Sequence, residues 1–330
     1  FGSAAYAWRT TINKIFLFGV ASKRIVLIGS GEAASELENH LSKNQQLGYE
    51  VVSWIKNDQR GKGLARLREI MAEERTGIIV IENFIKRSPQ ASRPIYRDFG
   101  SDMEIMDVAD LYETVFGKIP IKESENTDLV AQLAERHPLY DAVKLPLEKL
   151  LAILIGIIFL PIAAIIVLAI KMDSPGSAFF TQVRVGKGGK LFTLWKFRTM
   201  YKDAEKQGPR WAKPNDKRVT RLGGILRQTH LDELPQIWNI FRGELSLVGP
   251  RPERPEFIKS LRETIPFYDL RLLAIPGLTG WAQVNYRYGA SAKDAYAKLE
   301  YDIYYIKHRS FWLDAAILIR TLKRIFVQAR

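Results

Sequence analysis

The chain has 330 residues, enough for two domains. Its 49 Lys and Arg outnumber 36 Asp and Glu, a formal net charge of +13 that suits an anionic partner: nucleic acid, phospholipid headgroups or phosphorylated substrates. It has no cysteine, which excludes disulfides, thiolate metal sites and a cysteine nucleophile, and His40, His137, His230 and His308 show no zinc-ligand spacing.

Residues 1–20 are apolar and aromatic and read as the tail of an earlier membrane segment, with further chain expected upstream because no Met begins it. They lack the basic start and small-residue cleavage site of a signal peptide. Arg24–Gly31 is an apolar run into a glycine turn, and helix-like Glu32–Leu41 follows, giving G-x-G-x-x-A at Gly29, Gly31 and Ala34. Glu50–Ile55 reads as a second strand, Ala65–Glu74 as a helix and Gly77–Ile81 as a third strand. Alternating elements predict a small parallel-sheet α/β module over residues 21–118. The acid that would hold a ribose hydroxyl after the second strand is missing: Trp54, Ile55, Lys56 and Asn57 stand there, and Asp58 comes late. Structural or regulatory use of the glycine turn is favoured over NAD binding.

Residues 119–144 are polar and mixed and read as a linker. Leu150–Ile170 has no charged residue and is long enough to cross a bilayer core of about 30 Å. Pro161 lies in its middle, removing a backbone hydrogen bond and favouring a break. Lys144 and Lys149 precede the segment and Lys171, Arg184, Lys187 and Lys190 follow, so positive charge puts both ends on the cytoplasmic face. A helix that enters one leaflet and returns over residues 145–172 fits these facts better than a simple span, which stays open as the alternative.

In the region 173–330, Phe179–Val185 and Leu191–Phe197 flank a Gly186–Gly189 turn and predict a hairpin. Lys196 and Arg198 alternate with Phe197, so on a strand both cations would share a face, either solvated or turned to phosphate. Asp203–Thr229 reads as a loop and a short helix ending at Arg227. In L-D-E-L-P-Q, Asp232 and Glu233 sit side by side before Pro235, and an apolar-periodic stretch stops at Gly243, predicting a helix over about Leu234–Arg242. Paired acids at a helix start commonly just complement the dipole; here that end is also a natural place for phosphate. Arg251 follows in G-P-R-P, where flanking prolines restrict the backbone. Paired acids and a pre-aimed arginine can hold a metal ion and a phosphoryl group. Arg254–Arg271 reads as helical, and Pro276–Tyr288 as a turn with an aromatic-rich segment. Lys298–His308 mixes Tyr with cations as a membrane–water interface would. Phe311–Arg330 is a basic amphipathic helix suited to a membrane surface or to its own domain.

Five motifs now stand in register after an apolar segment: K-F-R-T-M (196–200), L-D-E-L-P-Q (231–236), L-S-L-V-G-P-R-P-E (245–253), P-G-L-T-G-W-A-Q-V-N (276–285) and Y-D-I-Y-Y-I (301–306). Over about residues 140–330 the chain resembles the bacterial sugar transferases, the polyprenyl-phosphate hexose-1-phosphate or monotopic phosphoglycosyl transferases. The upstream module and L-Y-E-T-V-F-G-K-I-P (111–120) resemble the larger members. The resemblance implies a Rossmann-like α/β module followed by an α+β membrane-associated catalytic domain with a re-entrant membrane helix. It implies transfer of a sugar-1-phosphate from a UDP-sugar to undecaprenyl phosphate with release of UMP, at the cytoplasmic face of the bacterial inner membrane, starting exopolysaccharide, capsule or O-antigen assembly. Asp232 is then the nucleophile that carries a phosphosugar intermediate, and Glu233 its acid/base or metal-binding neighbour, with Mg²⁺ as the expected ion. Lys196, Arg198 and Arg251 are the expected phosphate clamps, and Asp302 a further candidate. His230 stands where a Ser is common in the family. Nucleic acid is not an expected partner, and the α/β module is a candidate dimerisation element. Two other classes compete: an NAD-dependent nucleotide-sugar enzyme and a non-catalytic membrane scaffold.

Overall fold

The computed structural model describes residues 22–56, 67–74, 76–82, 104–123, 126–133, 137–202, 204, 216–286, 289 and 291–328. The expected membrane tail at residues 1–20, Asp58 and most of the loop before Thr220 lie outside them. The chain divides into two compact units, Phe1–Leu129 and Val130–Arg330.

In the first unit the order is β1 (Lys23–Ile28), α1 (Glu32–Lys43), β2 (Tyr49–Ile55), α2 (Leu67–Glu73), β3 (Ile78–Ile81), β4 (Glu104–Asp107) and α3 (Val108–Phe116). The strands form one parallel sheet in the order β2-β1-β3-β4. Period-two alternation splits β1 between two cores. Ile25 and Leu27 pack with Ala34, Leu37 and Leu111 of α1 and α3, while Val26 and Ile28 pack with Leu67 of α2. Strands buried on both faces explain why β1 and β3 read as continuous apolar runs. Asp107 caps α3 by accepting a hydrogen bond from Ala109 N, and Gly117 closes it in the left-handed region.

The stretch expected as a linker carries helices. α4 (Asn126–Leu133) lies across the division between the units, and α5 (Pro138–Asp173) begins well before Lys144. α5 is 36 residues, roughly 54 Å at 1.5 Å per residue. It continues through Pro146 and Pro161 as one helix, so Pro161 does not end it. It is long and apolar enough to cross a membrane. One stripe of it is buried: Ala152 packs with Phe192, Leu194, Ile240 and Leu245, and Ile166 and Ile170 pack with Ala178, Phe197 and Leu226. Much of its remaining apolar surface is exposed, including Ile157, Ile158, Leu160, Ile165 and Leu168.

The second unit continues with the antiparallel hairpin β5 (Phe179–Val185) and β6 (Leu191–Phe197), as the alternation predicted. Next come α6 (Arg221–Gln228), a 3₁₀ turn (Leu231–Gln236), α7 (Ile237–Arg242), β7 (Ser246–Val248), α8 (Pro255–Thr264), a second 3₁₀ turn (Tyr268–Leu273), β8 (Gly277–Thr279), α9 (Trp281–Asn285), α10 (Ala292–His308) and α11 (Phe311–Gln328). β7 and β8 pair in parallel. Asp302, Ile303, Tyr305 and Ile306 are buried along α10, so one face of the Y-D-I-Y-Y motif points into the interior, while Tyr301 and Tyr304 are partly exposed. α11 packs Ile317 inward and leaves Trp312 and Ile319 exposed.

Candidate active site

The acid pair is carried by the 3₁₀ turn rather than by the start of α7. His230 precedes the turn in the left-handed region, at φ 57°, where a non-glycine side chain is uncommon. Glu233 N then bonds back to the His230 carbonyl at 3.2 Å. Pro235 lies within this turn, and α7 starts only at Ile237, so the expected helix over Leu234–Arg242 begins late and the acids stand in the first turn of the 3₁₀ segment that leads into it. α7 does end at Gly243, φ 75°, as the glycine predicted. Leu231 and Leu234 of the turn pack toward the Ile166–Ile170 core of α5. The residues between them, Asp232 and Glu233, are left for the cations of the hairpin and the following turn.

Lys196 Nζ donates to Glu233 Oε1 at 2.6 Å, and Arg251 Nη2 lies 3.5 Å from the same oxygen. The structure thus brings Asp232, Glu233, Lys196 and Arg251 together. Arg198 does not join them. β6 ends at Phe197, so the strand alternation that would have placed Arg198 beside Lys196 stops one residue short. The Arg198 guanidinium is buried and donates to the Ser174 carbonyl (2.7 Å), Ser174 Oγ (3.0 Å) and Pro175 carbonyl (3.0 Å), holding the C-terminal end of α5. Asp302 is 2% exposed and lies 2.8 Å from Arg271 Nη2, behind the Arg251 turn rather than beside the acids.

The two acids titrate apart. Burial pushes the Asp232 carboxyl up; Lys196 pulls it back and Glu233 adds to the rise. Burial would also raise Glu233, but Lys196 and Arg251 outweigh it and hold that carboxyl down at about 2. Neighbouring carboxylates driven apart in this way mark two different roles. Around them, Arg184 donates to the Pro252 carbonyl at 2.9 Å. Burial lowers its guanidinium to about 10, with Glu253 opposing and Arg251 and Arg254 reinforcing.

Sequence reasoning missed Asn239, which is fully buried. Its amide accepts from Trp195 N (3.2 Å) and donates to the Thr193 carbonyl (2.7 Å) and Glu244 (2.8 Å), tying α7 to β6. One polar residue between Trp238 and Ile240 was the available signal. It also missed Arg271, Lys144 and Asp314; Lys144 and Asp314 each stand beside apolar helical stretches.

In the first unit the glycine turn is filled by the chain itself. Gly31 N donates to Glu82 Oε1 (2.5 Å) and Ala33 N to Glu123 Oε1 (2.6 Å), the amides that would otherwise face a pyrophosphate. A Cβ on Gly29, at φ +148°, would collide with the Glu82 side chain. Burial raises the Glu123 carboxyl, the Ala33 amide opposes it, and Glu82 and Glu32 add to the rise.

Residues 139–328 match the sequence profile of a family described as bacterial sugar transferase. The chain is 36% identical over 276 residues to UDP-N-acetylgalactosamine-undecaprenyl-phosphate N-acetylgalactosaminephosphotransferase of Aeromonas hydrophila, covering 83% of this chain and 62% of that protein. It is 30% identical over 325 residues to UDP-glucose:undecaprenyl-phosphate glucose-1-phosphate transferase of Escherichia coli (strain K12), covering 93% and 68%. It is 29% identical over 343 residues to a protein of the same description from Xanthomonas campestris pv. campestris, covering 97% and 70%. The chain therefore spans roughly two thirds of the length of these relatives.

Proposed function

The chain belongs to the bacterial sugar transferase family, and from that membership we propose that it moves a sugar-1-phosphate from a UDP-sugar to undecaprenyl phosphate, releasing UMP. The observation that carries the reading is the cluster in which Lys196 and Arg251 converge on Glu233 beside the buried Asp232. Asp232 is the nucleophile. Its carboxylate oxygen bonds to the sugar-bearing phosphorus as the bond to the bridging oxygen breaks, and the electron pair leaves with UMP. A phosphate oxygen of the lipid then attacks the same phosphorus and returns the electron pair to Asp232. Two easier displacements replace one difficult transfer.

The raised affinity of Asp232 for a proton makes it the more basic, and so the more nucleophilic, of the pair. Glu233 stays ionised and keeps Lys196 and Arg251 at hand, the arginine as a bidentate clamp on phosphate oxygens. Mg²⁺ takes oxygen ligands and is commonly held by one or two carboxylates together with substrate phosphates. Asp232 and Glu233 fit that demand, and among the described residues no cluster of three or more His, Cys, Asp or Glu could enclose the ion. When bound there it offsets the negative charge of the diphosphate.

The lipid acceptor is reached through α5. Its buried stripe from Ala152 to Ile170, roughly 27 Å long, packs on elements of the same unit. Pushing that helix straight across a bilayer would carry β6 and α7 into hydrocarbon, which favours α5 resting within the cytoplasmic leaflet over a straight span, with the acid pair at the cytoplasmic headgroups. The relatives' names divide between N-acetylgalactosamine and glucose. A UMP-release assay with undecaprenyl phosphate and both UDP-sugars tests the reading: release with one or both is expected, and none with any UDP-sugar favours a non-catalytic scaffold.

A further inference from the structure

The turn that carries Arg251 is fixed along its backbone. Gly249 N donates to the Thr279 carbonyl (2.9 Å), Gly277 N to the Pro250 carbonyl (2.8 Å) and Val185 N to the Glu253 carbonyl (3.0 Å). Two buried charged networks hold the remaining points, and both are anchored on α10. Asp302 and Tyr305 are three residues apart on that helix and share its inward face.

At one point, Arg271 Nη2 donates to the Arg251 carbonyl at 2.9 Å and lies 2.8 Å from Asp302 Oδ2. Arg271 Nη1 donates to Tyr268 Oη at 2.6 Å and lies 3.8 Å from Glu253. Asp302 thus balances a buried guanidinium whose other task is to grip the backbone of Arg251. At the other point, the Val248 carbonyl is approached by Lys144 Nζ at 2.9 Å and by Tyr305 Oη at 3.0 Å. Tyr305 Oη is also 2.9 Å from Asp314 Oδ1, so its single proton serves one acceptor at a time. Lys144, with three protons, lies 2.8 Å from both Tyr305 Oη and Asp314 Oδ2.

A buried ion pair is weak support for stability, since apolar residues of the same volume often serve as well; its use is more often to fix one arrangement. We propose that Asp302 and Tyr305 are positioning residues that set where Arg251 points, acting through the backbone of Val248–Glu253 without touching substrate. This rests on the reading of Arg251 as a phosphate clamp. It also gives the buried polar positions of Y-D-I-Y-Y a task, because the two side chains brace the turn at its two ends.

A double-mutant cycle in the full-length membrane-bound protein tests it, with UMP release as the readout. Asp302→Asn is expected to lower kcat/KM for the UDP-sugar about 10-fold or more, the cost of a small displacement of a reacting group. In an Arg251→Ala background the same change is expected to cost less than about twofold, because the group it positions is gone. Tyr305→Phe keeps the ring and its packing and is expected to show the same loss of effect; it carries the test if Asp302→Asn fails to fold. Equal losses in both backgrounds would overturn the proposal and leave Arg251 its role. Arg251→Ala with wild-type kcat/KM would instead overturn the clamp reading, and the proposal with it.

Discussion

At the residue scale, Asp232 has to be ionised to attack, and its carboxyl is raised by burial with Lys196 pulling it down. Activity should therefore fall with decreasing pH at a higher pH than an ordinary aspartate would give. Lys196→Ala removes the downward pull, so the acid limb should move to still higher pH. It should also cut kcat by about 10²-fold, as losing one preorganised charge partner does. A pH–rate profile of UMP release checks both; a limb that stays put or moves down contradicts the assignment. Glu233 has the opposite sign. Its folded value of about 2 lies below its ordinary 4.5, so its stabilising contribution is present above that ordinary value and lost as pH falls toward 2. Asp232, Glu233, Lys196 and Arg251 were legible because each sits in a short dense motif. Arg198 was misread because a cation after Phe197 looks the same in sequence whether it faces phosphate or the carbonyls of Ser174 and Pro175. Arg271 was invisible because nothing in Y-D-L-R-L-L says that its partner is Asp302.

At the element scale, Arg198 holds the end of α5 through charged donors to backbone oxygens. Removing it leaves those carbonyls buried without that partner. Arg198→Ala should cost about 2–4 kcal/mol and lower Tm by several degrees; an unchanged Tm would return Arg198 to the phosphate-facing set. The β5–β6 hairpin and the parallel strands were readable because strand-like apolar runs and glycine turns are local. The 3₁₀ turn was not, because L-D-E-L-P-Q carries helix-start signals of either kind. What selects the tighter turn is the wedging of Leu231 and Leu234 against α5, a contact between distant parts of the chain. α10 shows the same limit: tyrosines and cations at helical spacing describe an interface or a buried polar brace equally well.

At the scale of the whole molecule, the absence of cysteine gives the membrane proposal a clean test. Single cysteines at Leu147 and Met172, both exposed, bracket the apolar part of α5. A membrane-impermeant thiol reagent should label both from the cytoplasmic side; labelling from opposite sides would establish a span. In the first unit, Glu82 and Glu123 occupy the amides of the glycine turn. Titration with NAD(H) should give no saturable binding, and tight binding would revive a nicotinamide reading. The change from alternating β/α patterning to an apolar helix is written locally in the sequence, whereas the division at Leu129 and Val130 falls between the two and has no local mark. The carboxylates that fill the glycine turn were not legible either, since Glu123 lies far along the chain from Gly31. The central claim, a sugar-bearing phosphate carried on Asp232, is tested most directly by incubating the protein with UDP-sugar labelled in its sugar, without lipid acceptor. Label bound covalently to the wild-type chain, discharged by undecaprenyl phosphate and absent from Asp232→Asn, is the predicted result; an unlabelled wild-type chain that still turns over, or a labelled Asp232→Asn chain, would contradict it.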